Sequence, residues 1–204
     1  MDFSGSSCTL SPSEQQKLIH KLEIFKIQGT DKHGCHVLCI TGKLFPARLV
    51  GAEALKKYLT EEEFPRLGET PFSVVYLNAG VKARENFPGI LAVRSVYEAI
   101  PVNVKDHLKA VYYVHPGLLA RLFLATFGRF LFGRGLYSKL KYVNRLGFLW
   151  NHVCRKEVEI PEYVYEHDEE LEHPRPGIEY ALESDHPRSA VDSPVSMYSL
   201  RCIA

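Results

Sequence analysis

Short runs of β-branched and aromatic residues alternate along this chain with stretches whose apolar positions recur at helical spacing. Residues 72–77 (FSVVYL), 108–114 (LKAVYYV) and 140–143 (LKYV) have buried-strand character, each bounded by breakers. Nearer the start, the apolar runs 23–28 and 35–41 flank a polar turn, Thr30-Asp31-Lys32-His33-Gly34. Gly29 and Gly34 supply the turn conformations, so this region predicts a β-hairpin. Ser13, followed by Glu14, Gln15 and Gln16, predicts a short helix through Leu22 with Leu18, Ile19 and Leu22 as its stripe. Further helices are predicted over 51–63, ending near Pro65 and Gly68, and over 87–99, 117–132 and 146–153. After Ile160-Pro161 the pattern supports one amphipathic turn. Strands alternating with helices of this length imply βαβ units, hence an α/β fold with a mostly parallel, mixed β-sheet flanked by helices.

A length of 204 residues suits one domain, expected over 13–173, between a flexible segment 1–12 and an irregular acidic and polar tail 174–204. Hydrophobic residues make up 46% of the chain, enough for a core. The net charge of +1 argues neither for nor against nucleic acid, and no nucleic-acid partner is expected. Its distribution says more. Eight Lys or Arg lie between Lys105 and Arg145 against the single Asp106, and twelve acidic residues lie between Glu157 and Asp192 against Arg175 and Arg188. A basic stretch followed by an acidic one suits either an anionic surface or an acidic segment folding back on its own basic face. Five scattered cysteines, without a leader-like start, fit a reducing, cytoplasmic setting. The longest apolar stretch, 118–136, is broken by Arg121, Arg129 and Arg134, so a soluble protein, at most peripheral to a membrane, is expected rather than a span.

Most enzyme signatures are absent. There is no G-x-S-x-G elbow, and although Gly29 and Gly34 have the first spacing of a phosphate loop, Cys35-His36 follow where Lys-Ser should stand. Gly133-Arg134-Gly135 lacks the third glycine of a dinucleotide fingerprint and precedes a strand instead of following one. Cys35 and Cys39 would lie about 13 Å apart on a strand, at about 3.3 Å per residue, too far for one zinc ion. They read as buried structural thiols. The run His167-Asp168-Glu169-Glu170-Leu171-Glu172-His173 has the residue types of a hard-cation site but reads as a solvated tail. His115, at the carboxyl end of a central strand, is the one lone catalytic candidate, and no nucleophile is placed beside it by sequence. A histidine that ties the strand end by hydrogen bonds is the favoured reading. No catalytic residue, metal or cofactor is expected.

The segment 117–136 (GLLARLFLATFGRFLFGRGL) is the most unusual. On a helical wheel its apolar arc far exceeds the roughly 100° needed to cover one sheet face, with Arg121 and Arg129 on the polar remainder. Such a helix either sinks into a core on nearly all sides or keeps an apolar flank for a lipid chain, a bilayer interface or a partner.

The run 108–143 (LKAVYYVHPGLLARLFLATFGRFLFGRGLYSKLKYV) resembles the second half of a CRAL-TRIO lipid-binding domain. There a strand ends at a proline, a hydrophobic gate helix follows, and a Ser-Lys turn enters the next strand. The similarity covers roughly residues 22–172 and is closest to the divergent BCH-type branch found in Rho GTPase-activating proteins and ganglioside-induced differentiation-associated proteins. It implies a mixed sheet floored by helices and a lipid cavity closed by the gate. Leu118, Leu122, Phe123, Phe127, Phe130 and Leu131 would form the gate and pocket. In phosphatidylinositol-transfer members a lysine after the gate meets the head-group phosphate, and Lys139 in Tyr137-Ser138-Lys139-Leu140 matches it. Lys141 or Arg129 would assist, and Ser73 stands where those members use strand hydroxyls. Lys105-Asp106 occupy the region of their acidic residue.

Two functions follow from this resemblance. The first is a non-catalytic domain that binds or transfers a phospholipid or other hydrophobic ligand. The alternative is a protein-interaction module whose partner is a small GTPase or a second copy of the chain, which the single short helix in place of a larger N-terminal lobe favours. A hydrolase using His115 stands third.

Overall fold

The computed structural model describes residues 10–172, leaving aside the side chains of Leu131 and Arg134; the predicted tail 174–204 lies outside the described residues. Five strands form one sheet in sequential order: β1 (Phe25–Thr30), β2 (His36–Thr41), β3 (Phe72–Leu77), β4 (Leu108–Val114) and β5 (Leu140–Val143). The β1–β2 hairpin is antiparallel and the three other pairings are parallel. The sheet is therefore mixed and mostly parallel, as the alternation of strand and helix patterns implies. The last three strands have the bounds read from sequence.

The helices are α1 (Pro12–Lys21), α2 (Ala52–Tyr58), α3 (Phe64–Leu67), α4 (Ala83–Asn86), α5 (Ile90–Ala99), α6 (Val102–His107), α7 (Leu118–Lys139), α8 (Leu146–Leu149) and α9 (Glu162–Glu172). Helix α1 starts one residue earlier than expected because Ser11, not Ser13, is the cap. The Ser11 hydroxyl accepts the Glu14 N–H while the Glu14 carboxylate accepts the Ser11 N–H, a capping box. Pro65 does not end the second helical stretch. It has no N–H to donate, and the turn before it, Leu59–Glu63, widens to π-helix so that the chain runs on to Leu67 and stops at Gly68, φ +58°. Residues 162–172, expected to give one turn, make all of α9.

Parallel strands in sequential order, joined by crossovers of one hand, place the crossover helices on one face. Ile19 of α1, Leu55 and Tyr58 of α2, Leu67 of α3 and Val104 of α6 pack there against Leu38, Phe72 and Leu108. The opposite face is covered by the chain after β5. Leu146 and Leu149 of α8, Val153, Val158 and Val164 of α9 close over Val37, Val75, Leu77, Tyr112 and Val114. The β3–β4 register slips between Phe72 and Ser73, so Leu108 joins the first core and Ala110 the second.

The hairpin is tied to the sheet by Asp31, which is 3% exposed. Its carboxylate accepts from the backbone N–H of His33 (2.8 Å) and Cys35 (2.9 Å) and from the Ser73 hydroxyl (2.8 Å). Burial acts to raise its pKa, but the bonds from Cys35, Ser73 and His33 together outweigh it and hold the carboxyl below its ordinary value. Nearby, Gly29 has φ +59°, and a Cβ there would lie 2.6 Å from the Cβ of Glu157, whose carboxylate accepts from the Thr30 N–H and hydroxyl.

Two outcomes are expected. A carboxyl depressed on folding contributes stability above its unfolded value, near pH ~3.9, that is lost as pH falls through the folded value. Asp31→Asn should therefore lower stability at pH 7 and flatten its decline in acid, as read by urea unfolding at both pH values. Gly29→Ala should cost at least about 2 kcal/mol, since it meets both a left-handed backbone and the Glu157 backbone.

Candidate functional site

Helix α7 leaves β4 through His115-Pro116-Gly117 and crosses the helix-bearing face. Its first run of turns ends at residue 132, as predicted, because Gly133 is not helical: its φ of +68° and ψ of 174° are ones only glycine adopts readily, and helical turns resume beyond it. The chain folds back there. Tyr137 lies against Gly128, where a Cβ would come within 2.9 Å of its ring, and the Arg129 guanidinium sits 5.5 Å above that ring. Leu136 enters the first core, and Phe132 meets Tyr97 of α5 edge-on at 5.8 Å. At the other end Arg121 donates to the Pro116 carbonyl (3.1 Å) and to the Asn144 side chain (2.5 Å).

Between these anchors the apolar flank is bare. Leu118 is 81% exposed, Leu119 76%, Leu122 60%, Phe127 55% and Phe130 84%. Phe123 is half-buried and packs on Phe127 at 5.4 Å. The side chain of Leu131 lies outside the described residues. A wholly buried core helix is thereby excluded, and the flank is kept for something other than the described core.

The sheet on the α7 side is incompletely covered in the same region. Val75, Leu77, Tyr112 and Val114, on the far face, are buried, whereas Val74, Tyr76, Val111, Tyr113 and Leu140 are half-buried and Tyr142 is exposed. Three of these are tyrosines in register on neighbouring strands, with ring centroids 5.2 Å apart for Tyr76–Tyr113 and 6.3 Å for Tyr113–Tyr142. The Tyr113 hydroxyl donates to Asn78 at 3.1 Å. Burial pushes Tyr113 up to about 12 and raises Tyr76 and Tyr142 as well, so all three stay neutral donors on an otherwise apolar floor.

The expected head-group residues divide between the two faces. Lys139, in the last turn of α7, is half-buried and donates to the Lys105 carbonyl at 3.1 Å; Arg129 lies on the same helix. Lys141 reaches over the Tyr112 ring at 5.4 Å, on the far face. Ser73 is fully buried on that far face, its hydroxyl engaged by Asp31. Lys139 and Arg129 belong to helix α7, whereas Lys141 and Ser73 stand on strands β5 and β3 at positions that face the other way. Two open depressions, of about 580 and 400 Å³, lie elsewhere: one among Lys26, Gln28, Ile160 and Tyr165, the other among Arg145, Phe148 and Asp168. Neither is lined by α7.

His115 is buried, with φ +51° in a position that precedes proline. That conformation costs of order 1–3 kcal/mol. It is held by its N–H to the Val143 carbonyl (2.9 Å), by the Asn78 amide on its carbonyl (3.0 Å), and by Nε2 against Asp168 Oδ1 (2.6 Å). Asp168 Oδ1 also accepts the Leu146 N–H at 2.9 Å, and the Arg145 guanidinium donates to the Asp168 carbonyl. Among the described residues no serine or cysteine hydrogen-bonds to the ring, so the geometry is that of a strand-end tie. The acidic run around Asp168, read from sequence as a solvated tail, turns Asp168 and His167 inward; the His167 ring meets His115 at 5.1 Å. Tyr76, Tyr113 and Asp168 were legible only as a strand pattern and a charge run. Burial pushes the Cys39 thiol up to about 12, which makes it an inert core group. Among the described residues no group of three or more His, Cys, Asp or Glu is placed to hold a metal, and no helix is long and apolar enough to cross a membrane.

The profile of the family described as "Divergent CRAL/TRIO domain" matches residues 34–170, which include strands β2 to β5, α7 and most of α9. The chain is 27% identical over 140 residues to Protein GDAP2 homolog of Drosophila melanogaster, covering 69% of this chain and 25% of that protein. It is 28% identical over 157 residues to Rho GTPase-activating protein 1 of Mus musculus, covering 75% of this chain and 34% of that one. Over 109 residues it is 35% identical to Protein prune homolog 2 of Xenopus tropicalis, covering 52% of this chain and 34% of that one. The chain thus spans between a quarter and about a third of the length of these relatives. With more than half of its length matched by the family profile, the chain belongs to the divergent CRAL/TRIO domain family.

Proposed function

We propose that this domain is a non-catalytic binder of a phospholipid or similar hydrophobic ligand, held between α7 and the tyrosine-bearing floor. The observation that carries this reading is the pairing of a bare apolar helix flank with a sheet face left open beneath it. Acyl chains lie along Leu122, Phe123, Phe127 and Phe130. The neutral phenols of Tyr113 and Tyr142 supply hydrogen bonds without a buried charge. Lys139 spends one of its three donors on the Lys105 carbonyl, and the others, with the Arg129 guanidinium, meet a phosphate. The domain works at the cytoplasmic side of a membrane, as a peripheral protein.

A second reading rests on the same flank. Its apolar side chains suit a protein surface as well as a lipid, and one relative carries the name of a Rho GTPase-activating protein. A small GTPase or a second copy of the chain then takes the place of the lipid. Catalysis at His115 has no part in either reading, because among the described residues no nucleophile hydrogen-bonds to its ring.

Liposome uptake tests the first reading. Lys139→Ala should weaken binding of an anionic phospholipid about tenfold, the loss expected for a charge-assisted hydrogen bond. Unchanged binding would remove Lys139 from the head-group site. The pair Leu122→Asp and Phe130→Asp should abolish uptake while changing unfolding stability by less than about 0.5 kcal/mol per substitution, as for surface positions. Retained uptake in that pair would place the ligand elsewhere, and a large loss of stability would make the flank structural.

A further inference from the structure

Helix α9 lies on the far face from α7, yet one of its side chains reaches the turn from which α7 departs. Asp168 Oδ1 holds His115 Nε2 at 2.6 Å and the Leu146 N–H at 2.9 Å. His115 is the last residue before Pro116-Gly117, and it stands in a left-handed conformation that a residue before proline disfavours. Its ring is almost wholly buried, and Nδ1 has no hydrogen-bond partner among the described residues. A strained backbone persists only where its surroundings over-determine it. Here the surroundings are the carbonyl of Val143, the amide of Asn78 and the carboxylate of Asp168. The first two belong to the sheet and its loops. Only the third comes from α9.

We propose that the Asp168–His115 contact is a latch by which α9 sets the direction of α7. With the latch made, His115 stays left-handed and sends α7 off the sheet with its apolar flank bare. When α9 withdraws Asp168, the His115 ring loses its buried partner, and the strained turn relaxes toward the extended backbone that a residue before proline prefers. Helix α7 then pivots at Pro116-Gly117, and the Arg121 contacts to Pro116 and Asn144 shift with it. Whatever binds α9 thereby controls access to the floor. This deepens the reading of α7 as a gate and rests on that reading for its consequence, though not for the movement itself.

The movement is measured without lipid, by pulsed electron–electron resonance between nitroxides on genetically encoded residues at positions 57 and 125, both exposed. The otherwise unaltered chain should show one dominant distance. Asp168→Ala and His115→Asn should raise a second distance population roughly tenfold or more, the effect of losing one hydrogen bond to a charged group. Asparagine at 115 tolerates the left-handed backbone, so that variant removes the ring contact without clashing. Asp168→Asn keeps an oxygen acceptor for both donors and should restore the single distance. An unchanged distribution in Asp168→Ala and His115→Asn, with the fold intact, would overturn the latch. So would loss of the native fold in both, which would make the contact a strut. Liposome uptake in the same variants separates the two ideas: a shifted distance with unaltered uptake keeps the latch and counts against lipid as the occupant.

Discussion

Four parallel strands in sequential order, β2 to β5, leave a single face for the crossover helices, and that face cannot hold all of them. Helices α1, α2, α3 and α6 fill the half of it nearer the amino ends of the parallel strands, against Leu38, Phe72 and Leu108. By the time the chain emerges from β4, the space left lies over the carboxyl ends, where Tyr76, Tyr113 and Tyr142 stand in a row. Helix α7 reaches across that space but is seated only at its ends, by Arg121 on one side and by Phe132, Leu136 and Tyr137 on the other. The opposite face is closed by the described chain after β5, from Leu146 of α8 to Val164 of α9.

The energetic consequence follows from the side chains left bare. Burying a leucine or phenylalanine fully is worth roughly 1.5–3 kcal/mol. Leu118, Leu119, Leu122, Phe127 and Phe130 together therefore hold back on the order of 10 kcal/mol, comparable with the roughly 5–15 kcal/mol that stabilises a whole domain. On the proposed reading, that reserve is recovered when an occupant covers the flank. The tyrosines beneath refine what the occupant is. On the proposed reading, they offer hydrogen bonds but no charge, which suits the ester and glycerol region of a lipid better than an ionic ligand, and the cations assigned to the phosphate, Lys139 and Arg129, come from α7.

Much of this was legible in the residues. The runs FSVVYL, LKAVYYV and LKYV became strands with the bounds expected, because β-branched and aromatic residues between breakers leave little alternative. The over-wide apolar arc of α7 announced either burial or an unfilled flank, and the exposures decide for the flank. What was hidden depended on three dimensions. Period-two alternation shows that Ser73 and Val74 face opposite ways but not which way is which, so Ser73 and Lys141 were grouped with Lys139 although they lie on the other face. The helix expected over 117–132 does stop there, at the non-helical Gly133, but the separate helical turns beyond it, up to Lys139, carry no such mark in the sequence. Asp168 was lost in a charge run, since nothing in His167-Asp168-Glu169-Glu170 marks the one carboxylate that turns inward to meet a histidine 53 positions earlier.

The most direct measurement is native mass spectrometry of the purified chain, followed by lipid extraction of the same sample. The account predicts one phospholipid per chain, displaced when Leu122 and Phe130 are made acidic. A chain that arrives empty, and takes up no lipid from liposomes of anionic and neutral phospholipid, would contradict it and assign the bare flank of α7 to a protein partner.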